Sequence, residues 1–207
     1  MKLTINRMTI YVWEGVYPPS EDTFLLLDHM DLEGGELVLD VGTGTGILAV
    51  SAALRDCIVV AVDVSLRALK NAKYNAKVNG VEDRVYYVLG DVASPLRLDS
   101  TFDVVLMNPP YLPSSGIGND PSWNGGPNGI SVVEKLLKDL NHLISERGKL
   151  YLVLSSLSRF DQVLSKLSSM GFTIKVKSKK KFWFEEIMLV EALRVASHKG
   201  DTDRASL

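Results

Sequence analysis

Glu36-Leu-Val-Leu-Asp-Val41-Gly42-Thr-Gly44-Thr-Gly46, running directly into Ile47-Leu-Ala-Val-Ser-Ala-Ala-Leu54, is the stretch that decides the fold. The first six residues are an apolar run of strand length bounded by glycine. The last eight read as a helix. Strand, glycine loop and helix in immediate succession form the first unit of a nucleotide-cofactor site. The glycines let the backbone approach a ligand closely, and the helix N-terminus points at it. The spacing narrows the reading further. A dinucleotide loop has the pattern G-x-G-x-x-G, but here Ile47 follows Gly46. The G-x-G-x-G form suits a cofactor that lacks a pyrophosphate.

Working outward, Ile58-Val-Val-Ala-Val62 reads as the next strand and ends in Asp63, 17 residues past Gly46. A carboxylate there can accept both ribose hydroxyls, or it can cap the helix that starts near Ser65. A helix over Leu66–Val78 is stopped by Asn79-Gly80. Val85–Leu89 is the third strand of the series, closed by Gly90-Asp91, where Asp91 is either an acceptor for an adenine amino group or a turn residue. Phe102–Met107 and Leu150–Leu154 are further strands, separated by a helix over Ile130–Ile144. A helix over Arg159–Met170 precedes a hairpin-like pair, Phe172–Lys181 and Phe184–Leu193. Upstream, Thr9–Trp13 reads as a short strand. Pro19-Ser20-Glu21-Asp22 opens a helix, Ser20 being a good cap and the acids suiting its first turn. Alternating strands and helices predict an α/β fold, a doubly wound, mostly parallel seven-stranded sheet. The last two strands leave no room for a helix between them, so a C-terminal strand must run antiparallel. Residues 1–195 are expected to form a single domain, with 196–207 a polar, disordered tail.

Composition bounds the partners. The chain has 207 residues, 46% of them hydrophobic, enough for one proper core. Its net charge of −2 provides no global basic field to recruit nucleic acid. The single cysteine, Cys57, excludes an internal disulfide framework, and His29, His142 and His198 are scattered without ligand spacing. No metal site is expected. The N-terminus lacks a signal-peptide core and no apolar run reaches membrane-spanning length, so the expected location is cytoplasmic. Lys175, Lys177, Lys179, Lys180 and Lys181 crowd one strand, either as a solvated face or as a contact for phosphate or an acidic partner.

Chemistry is concentrated after the fourth strand, at Asn108-Pro109-Pro110-Tyr111. Neither proline has an N–H, so the turn offers acceptors rather than donors. The Asn108 amide oxygen and a neighbouring carbonyl can hold a planar –NH2 group by both hydrogens, with Tyr111 near its plane. The bland reading is a strand-ending turn, because Asn-Pro often starts turns. The loop that follows, Leu112 to Gly129, has 18 residues, longer than a simple connection needs.

Taken together, Asp40-Val-Gly42-Thr-Gly44-Thr-Gly46, Asp63, Asp91 and Asn108-Pro-Pro-Tyr111 resemble the class I S-adenosylmethionine-dependent methyltransferases that act on amide or amino nitrogen. Within these the chain is similar to the HemK/PrmC family, the glutamine N5-methyltransferases of class 1 release factors. Tyr17-Pro-Pro-Ser-Glu-Asp-Thr-Phe24 and Trp123-Asn-Gly-Gly-Pro-Asn-Gly129 resemble its eukaryotic and archaeal branch. The likeness spans roughly Val16 to Val190. It implies S-adenosyl-L-methionine as cofactor, bound by Thr23, Asp40, Gly42, Gly44, Gly46, Asp63, Asp91, Val92 and Asn108. It implies catalysis by Asn108, Pro109, Pro110 and Tyr111, and the Gln of a GGQ tripeptide as acceptor. It also implies a small zinc-binding activator protein, for which the apolar strand 85–89 at a sheet edge is the expected docking place. Three other readings stay open: adenine-N6 methylation of RNA or DNA, lysine methylation, and a non-enzymatic cofactor-binding scaffold. The acidic pI and the lack of a nucleic-acid module weigh against the first, and the intact turn against the last.

Overall fold

The computed structural model describes residues 1–97, 101–112 and 125–195. The expected tail from residue 196, and Trp123-Asn124 of the long loop, lie outside the described residues. A seven-stranded sheet forms the centre. It contains β3 (Leu37–Val41), β4 (Ile58–Asp63), β5 (Val85–Leu89), β6 (Phe102–Met107), β7 (Ile144–Ser155), β8 (Phe172–Lys181) and β9 (Glu186–Arg194), in the order β5-β4-β3-β6-β7-β9-β8. The pairings from β5 through to β7 are all parallel. Strand β9 pairs antiparallel with both β7 and β8, as a loop too short for a helix requires.

Packing explains why the strands read as apolar runs rather than as alternating ones. Helices α1 (Glu21–His29), α2 (Ile47–Ala53) and α3 (Leu66–Val78) cover one face. Helices α4 (Ser131–Leu143) and α5 (Phe160–Ser169) cover the other. Val104 and Leu106 of β6 therefore join one core while Val105 and Met107 join the second, and β7 divides in the same way between Tyr151 and Val153 on one side and Leu150, Leu152 and Leu154 on the other. A sheet buried on both faces needs apolar residues at successive positions.

A second sheet is a two-stranded hairpin of β1 (Lys2–Ile5) and β2 (Met8–Tyr11). The short strand expected over Thr9–Trp13 is present but begins one residue earlier and ends two residues earlier, at Tyr11, and its partner β1 was not foreseen. The hairpin is held by a ladder of asparagines, two on α3 and the third, Asn79, at its C-cap. The N–H groups of Thr9, Tyr11 and Trp13 donate to the Oδ1 atoms of Asn79, Asn75 and Asn71 at 2.9, 2.8 and 2.9 Å. In return Asn79 Nδ2 donates to Thr9 O, and the Nδ2 groups of Asn75 and Asn71 to Tyr11 O. Four helical residues rise about 6 Å, close to the roughly 6.6 Å advance of two strand residues, so Asn at every fourth position can serve every second strand residue. The helix side chains thus stand in for a neighbouring strand. Asn75 Nδ2 also donates to Thr45 O at 2.8 Å, tying the hairpin to the glycine loop.

The two edges of the main sheet differ. Strand β8 carries the lysines, and three of them are paired within the chain: Lys177 with Asp31 and Glu191, Lys179 with Glu186, and Lys180 with Glu21. Charged residues blunt an edge, and these are already partnered. Strand β5 forms the opposite edge, as expected, and its Tyr86 and Leu89 are 58% and 54% exposed.

Candidate functional site

A cavity of about 560 Å³ opens at the carboxyl ends of β3, β4, β5 and β6. The chain winds outward from β3 through β4 to β5, then crosses back to place β6 on the other side of β3. The cavity therefore sits at the topological switch point, where diverging loops leave a crevice. Of the residues expected to hold a cofactor, Thr23, Gly42, Gly44, Asp63, Asp91, Val92 and Asn108 line it, together with Pro109 and Pro110.

Asp63 Oδ2 accepts from Gly44 N–H at 2.9 Å and Oδ1 from Ser65 N–H at 2.8 Å, so one carboxylate braces both the glycine loop and the start of α3. Burial raises its pKa, partly offset by these backbone donors. Gly42 has φ of +74°, and a Cβ there would meet no atom of the described residues within 4 Å beyond its own chain neighbours. The room beside Gly42 belongs to the cavity, and its conformation favours glycine. Val92, a β-branched residue at φ of +54°, is a true backbone outlier at the cavity wall. Such strain persists only where the surroundings hold it, and it clusters at ligand sites. Asp91 is paired with Lys135 of α4 at 2.5 Å, and both line the cavity. Nothing in the sequence pattern singles out Lys135.

Two expected cofactor residues lie elsewhere. Asp40 is buried beneath the loop and does not line the cavity. Its Oδ2 accepts from the Thr43 hydroxyl at 2.6 Å, while Oδ1 is without a side-chain partner among the described residues. Loss of hydration, reinforced by the Asp63 charge, pushes its pKa up to about 7. Gly46 faces α3 instead: a Cβ there would lie 2.6 Å from Ala72 Cβ and 2.8 Å from Ala72 Cα. This glycine is demanded by helix packing, not by ligand approach.

The turn at the end of β6 is braced by the first turn of α1. Asp22 is buried and can only accept when ionised, so its Oδ1 fixes the Thr23 hydroxyl as a donor, at 3.2 Å. The Thr23 oxygen then accepts from Ser20 N–H at 3.4 Å and from Asn108 Nδ2 at 3.3 Å. That polarity settles the Asn108 amide: its nitrogen faces Thr23, and its Oδ1 is buried with no partner among the described residues. Asp22 Oδ2 accepts from the Tyr111 hydroxyl at 3.1 Å. Tyr111 does not line the larger cavity but a neighbouring one of about 350 Å³. Behind the turn, a Cβ at Gly125 would lie 2.6 Å from Pro110 O and one at Gly129 would lie 2.4 Å from Tyr111 O. The glycines of the long loop let its backbone press against the turn. Upstream, Gly15, Val16, Tyr17 and Pro19 form the remaining wall, where the asparagine ladder delivers the chain.

The family model for the methyltransferase small domain matches residues 7–185. The chain belongs to that family. A protein of Methanocaldococcus jannaschii, assigned provisionally as a protein N5-glutamine methyltransferase, is 30% identical over 201 residues, covering 94% of this chain and all of that one. The release factor glutamine methyltransferase of Rhodopirellula baltica is 34% identical over 168 residues, 72% of this chain and 57% of its own length. Among solved structures, the Mtq2–Trm112 complex of E. cuniculi, described as responsible for methylation of the termination factor eRF1, contains a chain with a TM-score of 0.70 and 28% identity, covering 87% of this chain and 99% of that one. The expected HemK/PrmC-like class I methyltransferase, its sheet and its standing as an enzyme are thereby borne out. This methyltransferase family implies S-adenosylmethionine as methyl donor. The described residues include no cluster suited to a metal ion and no helix long and apolar enough to cross a membrane.

Proposed function

We propose that this methyltransferase modifies the side-chain amide nitrogen of the glutamine in the GGQ motif of a class 1 release factor. The single observation that carries the reading is the buried Asn108 Oδ1, fixed in orientation by Thr23 and left without a donor among the described residues. An unpaired buried acceptor costs about 1–3 kcal/mol, and a substrate N–H removes that cost. The Pro109 carbonyl, beside it in a turn whose two prolines carry no N–H, accepts the second amide hydrogen. Carboxylates around Tyr111, from Asp22 and Glu185, favour a polypeptide over a phosphate-bearing acceptor.

The donor group fits the residues present. The unfilled acceptor Asn108 Oδ1, the open space beside Gly42 and the strained Val92 all border the cavity and suit a ligand there. Asp63 would hold the ribose, Asp91 and Val92 the adenine, and the glycine loop, with Asp40 beneath it, the amino-acid end. S-adenosylmethionine supplies a methyl group on a sulfonium, an electrophile needing no further activation. What remains for the protein is alignment of a poor nucleophile, whose lone pair is delocalised into the amide. Gripping both N–H hydrogens fixes the nitrogen's position and direction, and such positioning can supply up to ~7–11 kcal/mol. No base is needed before transfer: the nitrogen–methyl bond forms as the methyl–sulfur bond breaks to leave a thioether, and one of the two amide hydrogens is then lost as a proton to solvent.

Residues 1–195 are proposed to work as one catalytic unit in the cytoplasm, with a small activator protein paired along β5. The contrast between the lysine-bearing β8 edge and the bare β5 edge supports that partner, since unpaired strand edges invite pairing. The test of the whole reading supplies methyl-labelled S-adenosylmethionine with either a GGQ-bearing release factor or total RNA. Label on the release factor, lost when its GGQ glutamine is replaced, is the expected result. Label in RNA alone refutes it.

A further inference from the structure

The cavity on the far side of Tyr111 holds neither the methyl donor nor the acceptor amide in the reading above. Ser20, Glu21 and Asp22 of the α1 start line it, with Tyr111 and the tip of the β8–β9 hairpin from Phe182 to Glu185. That tip is unusual. Phe182 N–H donates to Glu185 O at 2.7 Å, which puts Trp183 and Phe184 at the turn itself. Turns are the province of Gly, Asn, Asp and Pro, and two large aromatics there serve no local need. Trp183 is fully exposed and Phe184 is 80% exposed. Phe182 by contrast packs partly into the core and anchors the turn.

The platform is held in place rather than free. Glu185 Oε1 accepts from the Ser155 hydroxyl at 2.6 Å, Glu186 N–H donates to Ser156 Oγ at 2.9 Å, and Lys180 pairs with Glu21 across to α1. The aromatic tip is thus fixed beside the first turn of α1 and the residue that ends the catalytic turn. Four rings (Tyr111, Phe182, Trp183 and Phe184) stand with three carboxylates, of which Glu21 is matched by Lys180. Aromatic faces combined with carboxylates recognise cations. The negative field reaches Tyr111, where burial, and then Asp22 and Glu185, raise the phenol pKa.

We propose that this cavity is a docking subsite for the substrate polypeptide, taking a Lys or Arg side chain a few residues from the acceptor glutamine while Trp183 and Phe184 pack on the backbone around it. The inference rests on the release-factor reading and deepens it. Its geometric basis is continuity: Tyr111 borders the docking cavity, and the preceding Pro110 borders the cofactor cavity. A chain whose amide sits at Asn108 must pass Tyr111. Occupation by a basic residue also explains why the acids there outnumber the one lysine.

The test uses steady-state kinetics of the full chain with an intact release factor. Replacing Trp183 and Phe184 together by alanine should raise KM about tenfold or more, as truncation of aromatic anchors does at interfaces, while kcat changes far less and cofactor affinity measured by calorimetry is kept. Because both side chains are exposed, folding is not at stake. Glu185→Gln should raise KM in the same way. Neutralising the basic residues of the release factor near the acceptor, one at a time, should identify one whose effect vanishes in the Glu185→Gln background. An unchanged KM in the double alanine variant overturns the docking subsite. Independent, multiplying effects of Glu185→Gln and every basic replacement overturn the cationic occupant. If the wild-type chain leaves the release factor unlabelled, the proposed function itself fails and takes this inference with it, a result distinct from a labelled substrate with unaltered KM.

Discussion

Replacing Gly46 and Gly42 by alanine, one at a time, separates two roles that the same loop gives its glycines. Both have positive φ, +78° and +74°, so each variant pays the left-handed penalty of about 1–2 kcal/mol. The surroundings then diverge. At Gly42 the new methyl meets nothing within 4 Å, so stability falls by the backbone cost alone. At Gly46 the methyl would sit 2.6 Å from Ala72 Cβ and 2.8 Å from Ala72 Cα, and α2 must shift away from α3. Overpacking of this kind adds roughly 1–3 kcal/mol, for a total of about 2–5 kcal/mol. Urea denaturation of both variants, with calorimetric titration of S-adenosylmethionine, reads the two quantities. Gly42→Ala should stay folded and lose cofactor affinity, because its methyl projects into space the ligand uses. Gly46→Ala should lose the greater stability. Ala72→Gly added to Gly46→Ala should recover part of that loss in spite of its own helix cost of about 1 kcal/mol, a coupling that a double-mutant cycle isolates. Equal destabilisation of the two single variants, or no coupling to Ala72, refutes the packing argument.

Other outcomes follow from the same structure. Asn108→Ala should retain cofactor affinity while turnover falls on the order of 10²–10³, the scale of losing one preorganised polar contact; near-normal turnover removes the acceptor from the mechanism. Asp40 has its folded pKa raised from 3.8 to about 7, so the native state holds the proton that the unfolded state has released. Its contribution is therefore present in full below about pH 4 and declines as pH rises toward 7, and Asp40→Asn should remove that decline, measured as the pH dependence of the stability difference between variant and wild type. A difference that is flat from pH 4 to 7 contradicts the raised pKa. Tyr86→Lys combined with Val88→Lys should abolish co-purification with the activator and leave the isolated sheet folded by circular dichroism. Persistence of the complex rules out edge pairing along β5.

What the sequence determined by itself is whatever depends on short-range pattern. The apolar runs at 37–41, 58–63 and 102–107 have little choice but to be strands covered on both faces, the run 85–89 is a strand as well although it ends up at the sheet edge, and the glycine loop and Asn108-Pro-Pro-Tyr111 mark where the strand ends must converge. The run 172–181 and helix 66–78 were legible to the residue because turn and cap signals bound them closely. Tertiary structure alone decided the rest. Nothing in Gly46 itself distinguishes it from Gly42; only the approach of Ala72, 26 positions away, makes one a packing residue and leaves the other beside open space. Asp40 looks like a ligand contact in the string, but sheet pleating turns it beneath the loop, where desolvation governs its proton. Asn71, Asn75 and Asn79 could have been noticed at their four-residue spacing, yet their meaning needs a strand laid alongside, 58 to 70 residues distant. Likewise, five lysines read as a charged patch until Asp31, Glu21, Glu186 and Glu191 are brought against three of them, because ion pairing is fixed by distance in space and not along the chain.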